Sequence, residues 1–127
     1  MTGTKLSCCI IAMDEEDRLG ACLDSVAFCD EVVVVDSHSR DRTRELAAAH
    51  GARVIERDWP GHVAQKDFAV RAAAHDWVLC VDADERITPA LRGEIEALRA
   101  REFIMKDAYS FHLDHASLSI SPRKKLH

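Results

Sequence analysis

Three acids stand within four residues at Asp82-Ala83-Asp84-Glu85, directly after the apolar run Trp77-Val78-Leu79-Cys80-Val81. Such a run reads as a strand buried on both faces, so the acids fall at its C-terminal edge. Extended residues alternate sides, which sends the Asp82 and Asp84 carboxylates the same way and lets them grip one hard divalent cation or a metal-bound diphosphate. A second run, Val32-Val33-Val34-Val35, also stops at an acid, Asp36. Two strands that each end in a carboxylate predict a common rim, and open α/β sheets bind ligands outside the carboxyl ends of their strands. Each feature also has a plainer reading. An acid at a strand end can simply cap the next helix, although Thr88 is the better cap there. Asp36-Ser37-His38-Ser39-Arg40-Asp41 suits a loop that wraps a base or ribose, and equally an ordinary strand-to-helix turn with Asp41 as its cap.

The elements that must position these acids alternate along the chain. Residues 6–12, with Ile10 and Ile11, form a first buried strand. A helix follows: Leu19, Cys22, Leu23 and Val26 share a face, and Glu15, Glu16 and Asp17 lie at the positive end of its dipole. Residues 31–36 make the second strand. Asp41 caps a helix through residues 46–50, ended by Gly51 in a left-handed turn, and Arg53-Val54-Ile55 is a short third strand. Asp58-Trp59-Pro60-Gly61 turns into an alanine-rich helix over residues 63–74, which feeds the fourth strand at residues 77–81. Thr88 and Pro89 open a last helix whose Leu91, Ile95 and Leu98 share a face. Four strand-helix pairs predict an α/β fold, a mainly parallel sheet with helices on both faces. Beyond Arg101 the pattern weakens: residues 108–113 read as one more strand and residues 117–127 as a frayed polar tail.

At 127 residues the chain makes a single domain. Its composition, 47% hydrophobic and 31% charged with Gly 5 and Pro 3, is that of a globular protein without long disordered linkers. A net charge of -5 and the lack of a basic face argue against nucleic acid as a partner. Cys8, Cys9, Cys22, Cys29 and Cys80 are odd in number and lack CxxC spacing, which suits buried thiols in a reducing cytoplasm. The apolar run from residue 6 to 13 is too short to span a membrane, and no leader is expected.

The combination of segments resembles the family two glycosyltransferases, whose catalytic domain has the GT-A fold. The matching stretches are residues 6–19, 31–43, 51–68 and 76–91. Arg53-Val54-Ile55-Glu56-Arg57-Asp58-Trp59-Pro60-Gly61, Gln65-Lys66 and Asp82-Ala83-Asp84-Glu85-Arg86-Ile87-Thr88-Pro89 look especially like the subgroup that adds glucose to the lipopolysaccharide inner core. The resemblance implies that residues 12–15, among them Ala12, Asp14 and Glu15, and the acid Asp36 hold the uracil and ribose of a nucleotide sugar. Asp82 would face the ribose. Asp84, the acid of the DxD motif, would ligate Mg²⁺ or Mn²⁺ on the diphosphate, where leaving-group charge builds as the sugar bond breaks. Lys66 would add a positive charge there, its alternative being a solvated helix lysine. The implied reaction is transfer of a hexose, glucose from UDP-glucose first, to a lipopolysaccharide-core or related cell-envelope acceptor. A cytoplasmic location, peripheral contact with the inner face of the membrane and a homodimer complete the expectation.

The sequence departs from the family at four places. Position 14 is Asp and position 67 is Asp where Asn is usual, and position 12 is Ala where Thr is usual. An ionised acid accepts but does not donate, so each Asp implies a lost bond and a negative charge near a diphosphate. The fourth departure is at the end. The resemblance implies that residues 1–101 are the nucleotide-sugar half of the domain and residues 102–127 a short segment, with the acceptor half absent after the metal motif. Inverting transfer needs a carboxylate to take the acceptor proton, and no motif supports Asp107 or Asp114 in that role, so no catalytic residue is assigned. The other reading is an inactive remnant that binds nucleotide and metal. His112 and His115 read as a solvated pair, and Arg123-Lys124-Lys125 as a weak membrane contact at most. An open sheet edge where the missing half would pack is the basis for expecting a dimer.

Overall fold

Strand β1 (Leu6–Ala12) lies in the middle of the sheet, buried along nearly all of its length and paired in parallel on both sides. Its one hydroxyl is fully used, since Ser7 Oγ donates to Glu31 Oε1 at 2.7 Å and accepts the His75 N–H at 3.2 Å. In a computed structural model of the chain, residues 5–100, 111–112 and 119–122 are described, the last two segments by their backbone path. The order is β1, α1 (Glu16–Ser25), β2 (Glu31–Asp36), α2 (Thr43–Ala49), β3 (Arg53–Glu56), α3 (His62–Ala72), β4 (Trp77–Asp82), α4 (Pro89–Ala100), β5 (Phe111–His112) and β6 (Ser119–Pro122). The six strands lie in the order β3-β2-β1-β4-β6-β5. β1 to β4 run parallel, as the alternation predicts, and β5 and β6 are antiparallel additions.

Helices cover both faces. On one side Leu19, Cys22 and Leu23 of α1, Ala47 of α2, and Leu91 and Ile95 of α4 pack on Cys8, Ile10, Leu79 and Val81. On the other, Ala69 and Val70 of α3 pack on Cys9, Val33, Val35, Val78 and Cys80. Each of the fully buried Leu and Ile side chains contributes about 1.5–3 kcal/mol. All five cysteines are free thiols, four of them buried. Burial and the Asp84, Asp82 and Glu85 charges nearby push the Cys22 thiol up to about 12, with burial the larger cause.

Local chemistry explains the helix ends. Asp41 stands one residue before the N-cap position of α2, which is Arg42, but its Oδ1 still takes the Thr43 N–H at 2.9 Å. Thr88 Oγ1 takes the Leu91 N–H at 3.1 Å, the cap expected of it. Gly51 has φ of 86°, the left-handed stop after α2. The third helix begins one residue earlier and ends two earlier than its alanine pattern suggests, at Ala72, because Ala73 turns extended toward β4.

One expectation is overturned at the far edge. Residues 119–122, read from sequence as part of a frayed tail, form β6, antiparallel to β4 with Leu79 opposite Ile120. The outer edge of β4 is therefore covered along Trp77–Cys80 by β6. Of the strand expected over residues 108–113, Phe111 and His112 are described and form β5, while residues 108–110 and 113, Asp107, Asp114, His115 and residues 123–127 lie outside the described residues.

Candidate functional site

Register places the acidic strand ends together. Ala12 of β1 lies beside Asp36 of β2, and Ile11 beside Asp82 of β4, so three strands end at one rim. A cleft of about 260 Å³ opens there. The end of β1 and the loop after it supply Ile11, Ala12, Met13 and Glu15, while β4 and its turn supply Asp82, Ala83 and Asp84. Trp59 and His62, from the passage between β3 and α3, form the remaining wall, with their rings 6.3 Å apart. Gly61 permits that passage with φ of 114°.

The acidic turn divides its three carboxylates between two jobs. Glu85 folds back, its Oε1 accepting the Asp82 N–H at 2.9 Å while its own N–H donates to the Asp82 carbonyl at 3.0 Å. That leaves Asp82 and Asp84 as the two turn acids lining the cleft. Lys66 Nζ is 3.7 Å from Asp82 Oδ1, both side chains about one third exposed. Arg18 Nη1 is 3.8 Å from Asp84 Oδ2, and Arg18 Nη2 is 2.7 Å from Glu15 Oε1.

Two loops behind the cleft are fastened to each other. The Asp14 N–H donates to Ser39 Oγ at 2.8 Å, and Asp14 Oδ1 accepts the Arg40 N–H at 2.7 Å. The Glu15 N–H donates to Thr43 Oγ1 at 2.9 Å, and the Glu16 N–H to Asp41 Oδ2 at 3.2 Å. Asp14 has φ of 53°, a left-handed conformation that Asp and Asn tolerate better than most residues. Hydrogen bonding with the Thr43 side chain, ahead of backbone bonds, holds the Asp41 carboxyl below its usual range. The Asp at position 14 thus serves as an acceptor within the loop. Asp67 is likewise engaged, with Arg71 Nε 3.0 Å from its Oδ2.

Asp36 is completely buried rather than part of the cleft wall. It anchors its loop: Oδ2 accepts from the Ser39 N–H at 2.8 Å and from Arg44 Nη1 at 3.0 Å, and Oδ1 accepts from Ser39 Oγ. Gln65, also fully buried, donates from Nε2 to Ser37 Oγ at 2.8 Å and ties α3 to the same loop. His38, at φ of 53°, bridges Glu56 Oε2 at 2.8 Å and Asp58 Oδ1 at 2.6 Å. Those two acids, Glu56 first, raise its pKa. Of the residues singled out from sequence, Ala12, Glu15, Asp82 and Asp84 line the cleft, Lys66 touches it through Asp82, and Asp14 and Asp36 stand behind it.

The donor set suits a metal carried in by a ligand. Among the described residues no three His, Cys, Asp or Glu side chains converge into a ready cage. Mg²⁺ and Mn²⁺ bound to phosphates need only one or two carboxylates from the protein, and the half-exposed Asp84 beside Asp82 offers those hard oxygens.

Comparison with known proteins settles the lineage. The model of Glycosyl transferase family 2 matches residues 7–106. The chain belongs to this family. An uncharacterised glycosyltransferase of Rickettsia typhi is 44% identical over 97 residues, 76% of this chain and 33% of that protein. The lipopolysaccharide core biosynthesis glycosyltransferase LpsC of Rhizobium meliloti is 38% identical over 100 residues, 75% of this chain and 37% of its own length. The chain therefore spans about a third of these family 2 relatives. Among solved structures, glucosyl-3-phosphoglycerate synthase of Mycobacterium tuberculosis, in complex with Mn²⁺, UDP and glucosyl-3-phosphoglycerate, superposes with a TM-score of 0.64. That match is 20% identical and covers 96% of this chain and 58% of that one. The fold is GT-A, as the family resemblance implies.

The cleft also contains residues that sequence reasoning did not assign to it. Trp59 reads from sequence as part of a turn and Met13 as the end of an apolar run, while His62 and Arg18, the latter at the cleft mouth beside Asp84, carry no assignment there. Their common signal is exposure: Met13 and Trp59 are large apolar side chains more than half open to solvent, both on the cleft wall.

Proposed function

We propose that this family 2 chain binds the donor in a transferase that moves a hexose from a UDP-sugar, glucose first, to a lipopolysaccharide-core or related cell-envelope acceptor. The observation that carries the reading is the pair Asp82 and Asp84, set on one wall of a cleft at the shared strand rim. The acceptor class is supported by the likeness to LpsC, and the nucleotide and metal by the fold shared with a synthase solved with UDP and Mn²⁺.

In this reading Ala12, Asp14 and Glu15 shape the nucleoside side of the cleft, held in place by Asp36 through Ser39. Asp82 accepts from the ribose hydroxyls and Asp84 supplies a metal ligand. A bound Mg²⁺ or Mn²⁺ neutralises charge on the departing diphosphate. Lys66, 3.7 Å from Asp82, adds a point charge on the same side. Contact is peripheral, at the inner membrane face; no described helix is long and apolar enough to cross a membrane.

The test is calorimetric titration with UDP in Mn²⁺ and in EDTA, for the wild-type chain and Asp84→Asn. Metal-dependent binding that the substitution abolishes is expected. No binding by a folded chain sinks the donor site. Binding of UDP-glucose with neither transfer nor hydrolysis would limit this chain to donor binding.

A further inference from the structure

Arg18 projects from the first turn of α1 to the mouth of the cleft, where its two terminal nitrogens reach different walls. Nη2 stands 2.7 Å from Glu15 Oε1 and Nη1 stands 3.8 Å from Asp84 Oδ2. Both acids line the cleft. Glu15 Oε1 is shielded from solvent and makes no well-directed hydrogen bond, so the close guanidinium charge is what faces it. Lys66 does the corresponding service for Asp82. Each carboxylate of the metal motif therefore has a protein cation of its own.

We propose that Arg18 is a built-in counter-cation of the metal site, held between Glu15 and Asp84, that makes divalent-cation binding wait for the diphosphate. The inference rests on the donor-site reading above and deepens it. A divalent ion approaching Asp84 alone meets the guanidinium charge and must displace it. A diphosphate changes the sign of that effect, because its negative oxygens attract Arg18 and the metal together. Metal and nucleotide then bind with positive coupling that needs no change in fold, and by linkage each raises the affinity for the other equally. The Arg18 side chain is 59% exposed and that of Asp84 49%, so solvent screens the pair and the effect is modest.

The prediction has opposite signs for the two ligands, which a loss of structure would not produce. Mn²⁺ is titrated without nucleotide, read by the free-ion signal in electron paramagnetic resonance, and UDP is titrated at saturating Mn²⁺ by calorimetry. The proteins are wild type, Arg18→Gln, Arg18→Lys and Asp84→Asn. Removing an exposed charge pair of this kind should tighten Mn²⁺ binding about two- to fivefold in Arg18→Gln and weaken UDP binding by a similar factor. Arg18→Lys keeps the charge and should stay near wild type for both. The inference is overturned if Arg18→Gln weakens both ligands, or moves neither while Asp84→Asn abolishes Mn²⁺ binding. Unchanged Mn²⁺ binding in Asp84→Asn overturns the metal assignment itself, and this inference with it.

Discussion

Arg44 and Asp36 meet at the end of β2, where Nη1 of the arginine lies 3.0 Å from Oδ2 of a carboxylate sealed from solvent. The same nitrogen donates to the Ser39 carbonyl at 3.0 Å and stands 3.1 Å from Glu56 Oε2. One guanidinium thus joins α2, the loop after β2 and the end of β3. Arg44→Ala leaves Asp36 with only its Ser39 donors, and losing a charge-assisted bond to a buried acceptor costs about 1–3 kcal/mol. Urea denaturation should show that loss, with Arg44→Lys recovering part of it through a single point charge. An unchanged midpoint in Arg44→Ala would mean that Asp36 is not anchored this way.

His38 supplies a pH-dependent fastening nearby. Glu56, and then Asp58, raise its pKa above the ordinary 6.5 of a free imidazole. A group whose folded pKa is raised stabilises the fold fully below its unfolded value, and that contribution fades as pH rises through the folded value. Stability should therefore carry an increment below pH 6.5 that disappears above it. His38→Asn, which tolerates the left-handed backbone there, should remove this dependence. Proton NMR of the imidazole should place its midpoint above 6.5 at low salt, moving down as salt screens the two acids. A midpoint at or below 6.5 would contradict the bridge.

The sheet could be read from sequence where burial alone dictates it. β1, β2 and β4 are apolar runs with both faces covered, and their period and ends needed no knowledge of partners. β6 was missed for the opposite reason. Ser119-Ile120-Ser121-Pro122 has one apolar residue and becomes a strand because the edge of β4 is there to pair with it. The site divides the same way. Asp82 and Asp84 announce themselves as acids at a strand end, but β4 stops at Asp82, and Ala83 and Asp84 form a turn. The alternation expected of an extended chain is therefore not what brings them to one cleft, and the retreat of Glu85 onto the Asp82 N–H is likewise a turn that spacing does not encode. Asp36 was placed at the right rim, yet its burial depends on Arg44 and Ser39, residues that only the fold brings to it. Arg18, Trp59 and His62 reach the cleft from α1 and from the crossing between β3 and α3, at distances along the chain that no local pattern links.

The Glu85 turn separates shape from charge in the acidic motif. Its Oε1 accepts the Asp82 N–H at 2.9 Å, a bond that an amide oxygen can also accept. Glu85→Gln should therefore keep metal-dependent UDP affinity, whereas Glu85→Ala should lower stability by about 1 kcal/mol and weaken that affinity through a loosened turn. Parallel urea and calorimetric titrations decide it. If Glu85→Gln abolishes metal dependence while leaving stability intact, the third acid is a ligand after all.

Gly61 tests whether the Trp59 wall is held by backbone conformation. Its φ of 114° with ψ of 159° lies in a region essentially reserved for glycine, at the N-cap position of α3. An added Cβ would meet nothing within 4 Å, so any loss on substitution is conformational rather than steric. Gly61→Ala should destabilise the fold by about 1–3 kcal/mol. Asn, which rescues left-handed positions of the ordinary kind, should fail here, although it should be tolerated at Gly51, where φ is 86° after α2. Denaturation midpoints of Gly61→Ala, Gly61→Asn and Gly51→Asn make the comparison. Trp59 fluorescence reports the wall directly, because Trp77 is buried in β4 and Trp59 is half exposed. Equal midpoints for the two Asn variants would show that α3 can start without this conformation, and Trp59 would then owe its place to the side chains around it.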